Sequence, residues 1–273
     1  MTDCIIIPSG HARLAAEVAG SGPPVVFLHA GVADRRMWRA ELAALSGTHR
    51  VLAYDRRGFG ETTTPEGSFS HVDDLAAVLD HLGGRAAVLV GGSQGGRIAI
   101  DFALSRPERV LGLVLVATAV SGASSPAEYP PEIAARIDEL EQAEEGHDLD
   151  HMNELEAWFW LDGPTSTEGR VGGSVRDLFF EMNGTALRHA PVGEERPPPN
   201  ALSRLQQIKV PTLVIWGDLD FAHIQQRSAQ IVQRIAGSEG FLMHGTAHLP
   251  NLEAPSAFVE LLRSFLERVQ ARS

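Results

Sequence analysis

Only one cysteine, Cys4, stands in the 273 residues, so no internal disulfide can brace the fold, and the chain suits a reducing compartment. No apolar run approaches the roughly 18 residues needed to cross a bilayer. The start, MTDCIIIPSGHARL, offers a short apolar run from Cys4 with no basic segment ahead of it, too little for the core of a secretory leader. The cytoplasm is the expected location. Basic residues are outnumbered, 23 Lys and Arg against 35 Asp and Glu, and the net charge of −12 repels a phosphate backbone. No cluster of Lys and Arg interleaved with aromatics offsets it, so neither nucleic acid nor membrane is an expected partner. Metal-ligand spacing, internal repeats and a dinucleotide fingerprint are also missing; GSGPP (20–24) precedes a strand rather than a helix and reads as a turn. No metal and no cofactor are expected.

What is present is a globular balance, 44% hydrophobic and 21% charged, which excludes disorder and a fibrous repeat. The length fits one large domain carrying an insertion. PVVFLH (24–29), HRVLAYD (49–55), AAVLVG (86–91) and VLGLVLVAT (110–118) are near-continuous apolar runs, the mark of strands covered on both faces. DCIIIPSGHARLAAEVAGSG opens the chain as an antiparallel hairpin. HVDDLAAVLDHLG and GGRIAIDFALSRPERV repeat apolar residues every three or four positions and stop near Gly or Pro, as amphipathic crossover helices do. The alternation predicts an α/β fold with a mostly parallel sheet flanked by helices.

Residues 121–205 break the rhythm. They hold no strong strand, an acidic helical run (PPEIAARIDELEQAEEG) and two aromatic clusters, EAWFWL and DLFFEM. We read them as an inserted helical cap, with 1–120 and 206–273 forming the core domain. RPPP (196–199) stiffens the return path. VPTLVIWGD (210–218), a helix near QQRSAQIVQRIAG, the short strand GFLMH (240–244) and a last helix complete the sheet. The acidic stretch 138–145 reads as a solvated helix face.

Between the strand AAVLV and the helix that begins near Gln94 lies Gly91-Gly92-Ser93-Gln94-Gly95, which matches G-x-S-x-G. In such a turn the serine adopts a strained backbone that lifts its hydroxyl off the sheet, and glycines remove the collisions that result. The helix aims its N-terminal amides at the serine, where an oxyanion would be stabilised. A glycine-rich turn that merely packs a helix onto a strand has the same composition, so the placement carries the reading.

A serine needs a base, and the base needs a group to fix its tautomer. His248, in HGTAHLPNLEAP, lies on a loop between the last strand and the last helix, on the edge where strand ends gather; His244, at the strand terminus, is its rival. After VLVAT no carboxylate appears before Glu128, whereas TLVIW is followed by Gly217-Asp218-Leu219-Asp220. Asp220 comes before His248, giving the order Ser, Asp, His, and Asp218 competes with it locally.

The segments FLHAGVADRRMW, YDRRGFGET, GGSQGG, WGDLD and HGTAHLPNLEAP together resemble the α/β-hydrolase superfamily, and are similar to its esterase, enol-lactonase and carbon–carbon-bond hydrolase branches, from about residue 5 to the end of the chain. The resemblance implies a mostly parallel eight-stranded sheet flanked by helices, with an inserted cap. It implies Ser93 as nucleophile, Asp220 rather than Asp218 as the acid and His248 as the base. The oxyanion donors it implies are the backbone N–H groups of Gly31 and Gln94, with Val32 the alternative to Gly31, because His29-Ala30-Gly31 replaces the usual His-Gly-x. His29 reads as a strand-end packing residue and DRRGFG (55–60) as a turn whose charges tie loops together.

The expected function is hydrolysis of a small carboxylic ester or lactone through an acyl-enzyme. The alternatives are cleavage of a carbon–carbon bond in a vinylogous diketone and slow-turnover reception of a small molecule. Trp158, Phe159, Trp160, Phe179 and Phe180 are cap aromatics placed either to line an apolar pocket or to pack the core; Trp158, Trp160 and Phe179 are the candidates for substrate contact. The expected partner is a small-molecule ester or lactone, with a homodimer the one self-association left open.

Overall fold

The computed structural model describes residues 2–271. One sheet carries β1 (Thr2–Ser9), β2 (Ala12–Ala19), β3 (Pro24–Leu28), β4 (Arg50–Tyr54), β5 (Ala87–Gly92), β6 (Val110–Val116), β7 (Thr212–Gly217) and β8 (Glu239–Met243), in the order β1-β2-β4-β3-β5-β6-β7-β8. β2 runs antiparallel to both neighbours, and every other pairing is parallel. All residues of β3 and β5 are buried. Successive side chains on a strand point to opposite faces, and here they feed two separate cores. Val25, Phe27, Val88 and Val90 enter one; Val26, Leu28, Ala87 and Leu89 enter the other. Two-sided burial is why these strands are apolar without alternation.

Helices α1 (Arg39–Leu45) and α9 (Pro255–Gln270) cover the first face through Leu42, Leu45, Phe258, Leu262 and Phe265. Helices α2 (His71–His81), α3 (Gln94–Ser105) and α7 (Ala222–Arg234) contribute to the second core, through residues such as Leu75, Leu79, Ile98, Phe102 and Ile231. The chain leaves β3 toward β4 on one side and later leaves β5 toward β6 on the other. Their carboxyl ends therefore flank a crevice of the kind in which open α/β sheets bind ligands.

The connection from β6 to β7 contains α4 (Pro131–Glu145), α5 (Leu149–Ala157) and α6 (Gly173–Leu187). α5 runs directly into a π-helical turn, Trp158–Asp162, which Gly163 ends at φ +95°. Phe179, Met182, Ala157 and Leu161 join the core that holds Phe27 and Trp38, so this connection packs onto the sheet rather than standing clear of it. α8 (Pro250–Glu253) is a single turn ahead of α9. No helix of the described residues is long and apolar enough to cross a membrane.

Glu41, on α1, is fully buried, and neither of its carboxylate oxygens has a partner side chain or neighbouring amide. Burial pushes its pKa up to about 8 from an ordinary 4.5. The native state therefore keeps a proton that the unfolded chain has released, and the associated stability is present below pH 4.5 and lost as pH rises through 8. Glu41→Gln is expected to melt with the wild type at pH 5 and roughly 4–10 °C above it at pH 9. Parallel melting curves at both pH values would show that the buried carboxyl does not titrate this way.

Candidate active site

Ser93 joins β5 to α3 at φ +48° and ψ −112°, a region where a residue with a side chain is strained by about 1–3 kcal/mol. Its backbone is pinned: its N–H donates to the Val116 carbonyl at 2.8 Å, and its carbonyl accepts from Ala119 at 3.2 Å and Arg97 at 3.1 Å. The surrounding glycines have identifiable reasons. A Cβ on Gly95 would stand 2.3 Å from the Leu28 carbonyl oxygen, one on Gly91 would stand 2.5 Å from the backbone of Gly95 and Gly96, and one on Gly96 would meet Thr118 at 2.3 Å. α3 thus sits closer to β3 and β5 than any Cβ permits. Gly92 differs, since a Cβ there would make ordinary contacts with Met37 and Trp38 at 3.5 and 3.6 Å.

Asp220 and His248 come from the loops after β7 and β8. His248 Nδ1 lies 2.7 Å from Asp220 Oδ2, with both side chains almost wholly buried at 3% and 0% exposure. Asp220 Oδ1 accepts from the Phe221 N–H at 2.7 Å, which fixes the carboxylate plane. A nitrogen facing a carboxylate carries the proton, so Nε2 is the ring nitrogen left with a free lone pair. The rival pair is also together: His244 Nδ1 meets Asp218 Oδ2 at 2.9 Å, and Asp218 Oδ1 accepts from Gly245 at 2.7 Å. It lies in solvent, with His244 80% exposed. The second pair closes the β8 turn.

Ser93 and His248 line one cavity of about 310 Å³, together with Gly31, Val32 and Gln94. The N–H of Gln94, the first residue of α3, has no acceptor within the helix. His29 is fully buried; its Nε2 accepts from the Arg56 N–H at 3.0 Å, so its Nδ1 donates to the Ala30 carbonyl at 2.7 Å. Burial first, and then the Arg56 guanidinium, hold its pKa well below the usual histidine range. His29 is a neutral packing residue. In the DRRGFG turn, Arg57 ties Asp74, Thr64 and the Ser9 carbonyl together, and Asp55 accepts from Arg35 and the Glu61 N–H.

Of the three aromatics expected to touch substrate, Trp160 lines the cavity, with its ring centroid 4.7 Å from that of His248. Trp158 and Phe179 are not among the lining residues. Trp158 donates to the Ser166 carbonyl at 3.1 Å and lies under Arg136, and Phe179 is fully buried in the sheet core. Trp158 and Trp160 stand two residues apart on the π-helical turn and both pack against the small cluster of Phe159 and Phe221, but only Trp160 of the two reaches the cavity. Ala117 and Ala119 also line the cavity, as do Glu156, His223, Ile224 and Arg227, which no sequence motif had marked. The three-and-four spacing of His223, Ile224 and Arg227 along α7 was the available signal. Among the described residues no cluster of three His, Cys, Asp or Glu side chains could hold a metal ion.

Two helical layers around this sheet order, with a cavity over the carboxyl ends of its central strands, are the framework of an α/β hydrolase. Residues 23–255 match the family model described as alpha/beta hydrolase fold, and the chain belongs to that family. It is similar to the pimeloyl-(acyl-carrier protein) methyl ester esterase of Neisseria meningitidis serogroup B, at 28% identity over 89% of this chain and 92% of that protein. It is also 28% identical to the 2-hydroxy-6-oxononadienedioate/2-hydroxy-6-oxononatrienedioate hydrolase of Burkholderia vietnamiensis, over 81% of this chain and 77% of that one. Among solved structures, a thermophilic esterase from Thermogutta terrifontis superimposes with a TM-score of 0.75 at 27% identity, covering 98% of this chain and 99% of that one.

The glycine pattern makes a stability prediction of its own. Gly95→Ala, which drives a methyl into backbone, is expected to cost about 3 kcal/mol or to prevent folding, whereas Gly92→Ala should stay within about 1 kcal/mol of wild type. Urea denaturation reads the difference; equal costs would show that the close approach of α3 to β3 is not what selects glycine.

Proposed function

We propose that the protein hydrolyses a small carboxylic ester or lactone through an acyl-enzyme, with Ser93 as nucleophile, His248 as general base and Asp220 as its orienting acid. The observation that carries this reading is the buried 2.7 Å contact from His248 Nδ1 to Asp220, on an imidazole that shares its cavity with Ser93. With Nδ1 protonated against the carboxylate, Nε2 takes the Ser93 hydroxyl proton as Oγ attacks the substrate carbonyl. The carbonyl oxygen becomes an oxyanion, received by the backbone N–H groups of Gln94 and of Gly31 or Val32. On collapse, the C–O bond to the alcohol breaks and the imidazolium returns its proton to the leaving oxygen. Water, deprotonated by the same nitrogen, then releases the acid and restores Ser93. Removing one oxyanion donor typically costs about 3 kcal/mol, so the amides weigh as much as the side chains.

A cavity of about 310 Å³ lies at the small end of the roughly 300–1,000 Å³ seen for small-molecule sites, which supports a compact substrate. The esterase names of the Neisseria and Thermogutta proteins support ester cleavage. The Burkholderia relative favours a second reading, cleavage of a carbon–carbon bond beside a ketone by the same residues. Product analysis on p-nitrophenyl esters, lactones and vinylogous diketones separates the two. Tight binding with turnover slower than minutes on all of them would instead point to a receptor.

On the best p-nitrophenyl ester, Ser93→Ala is expected to lower kcat by at least about 10³-fold and Asp220→Asn by about 10⁴-fold, both without loss of fold. Asp218→Asn should stay within about threefold, because its partner is an exposed histidine. Wild-type turnover by Ser93→Ala would overturn the reading, and an Asp218→Asn defect matching that of Asp220→Asn would reassign the acid.

A further inference from the structure

Arg56 is an anomaly in the core. It is 1% exposed and forms no ion pair with any described residue. A lone buried charge costs several kcal/mol unless polar groups surround it. The groups that do so are few: Nη2 donates to the Ala30 carbonyl at 3.1 Å and lies 3.5 Å from His29 Nδ1, the guanidinium carbon lies 4.4 Å over the Phe59 ring, and Nη1 donates to the Gln94 side-chain oxygen at 3.1 Å. Nε has no partner. Burial pulls the pKa of Arg56 down to about 10, which leaves it a cation at neutral pH.

The bond to Gln94 decides how that carboxamide faces. A guanidinium only donates, so it can hold Oε1 but not Nε2. Oε1 is turned to the core, and the two N–H groups of Nε2 are left unused by Arg56. The carboxamide lies against Gly31: a Cβ on that glycine would stand 3.0 Å from Nε2 and 3.1 Å from Cδ. Gln94 is exposed and lines the cavity beside Ser93 and Gly31. A donor fixed by a buried cation thus stands next to the amides assigned to the oxyanion.

We infer that the Gln94 side chain is a third hydrogen-bond donor to the substrate carbonyl oxygen as it gains charge, and that Arg56 is the positioning residue that aims it. This rests on the serine-hydrolase reading above and extends it from backbone donors to a side chain. Arg56 acts twice, by holding Oε1 and by polarising the carboxamide so that its N–H groups donate more strongly. Gly31 takes part by having no side chain to displace the carboxamide.

The test compares wild type with Gln94→Met, Arg56→Met and the double variant, using p-nitrophenyl butyrate as substrate and an alkyl trifluoromethyl ketone, whose serine adduct carries an oxyanion, as inhibitor. Gln94→Met is expected to lower kcat roughly 10- to 100-fold with KM within about twofold, and to weaken the ketone by a similar factor. Arg56→Met should give a comparable loss in wild type and no further loss in the Gln94→Met background, because both act through one hydrogen bond. If Arg56→Met fails to fold, Arg56→Lys replaces it, and should lower kcat alone yet be silent beside Gln94→Met. Gln94→Met with kcat and ketone affinity both within twofold of wild type overturns the donor role. Losses that multiply in the double variant overturn the positioning role. Ser93→Ala, run alongside, tells these failures from failure of the underlying reading, since only the latter leaves its turnover intact.

Discussion

The left-handed backbone of Ser93 is the constraint on which the rest depends. A serine there is raised off the sheet only while the chain on either side is held, and it is held by bonds to Val116, Arg97 and Ala119. Those bonds require β5 to lie beside β6 and α3 to lie almost against β3, which in turn requires hydrogen in place of a methyl at Gly91, Gly95 and Gly96. The two cores clamp β3 and β5 from both faces. Strain of a few kcal/mol at one residue is thereby sustained by the packing of the whole sheet.

The same loops show how one sheet edge sorts similar side chains into different roles. Asp218 with His244 and Asp220 with His248 are two carboxylate–imidazole pairs separated by two and four residues. One is solvated and closes a turn; the other is buried and shares a cavity with Ser93. In the buried pair the carboxylate stays under low dielectric, where it favours a single tautomer and can stabilise an imidazolium. Exposure separates them, since their contact distances are nearly equal.

The interior strands were legible because burial on both faces demands unbroken apolar sequence: the observed β3, β4 and β7 lie within the predicted runs, and β5 ends one residue past its run, at Gly92. β6 stops at Val116 rather than 118 because Ala117 turns to φ +45°. α1 escaped notice: it is short and carries Arg39 and a buried Glu41, which weakens its apolar period. The turn chemistry around Ser93 was legible for a different reason, as glycine marks backbone contact directly. Cavity walls are harder to read. The π turn after α5 depends on i to i+5 bonding that no residue spacing encodes, and it is this turn that carries Trp160 to His248 while Trp158 points elsewhere. Glu156, His223 and Arg227 reach the cavity only through the relative placement of α5 and α7.

Buried polar groups link these features to the proposed chemistry. His29, kept neutral by burial and by Arg56, joins the end of β3 to the turn after β4, and Arg56 joins that turn to the first residue of α3. The most direct test of the whole account is covalent. Treatment with a fluorophosphonate followed by intact-mass and peptide mapping should give one adduct, on Ser93, formed far more slowly by His248→Ala. An active protein that takes no adduct, or takes it on another residue, would contradict the account.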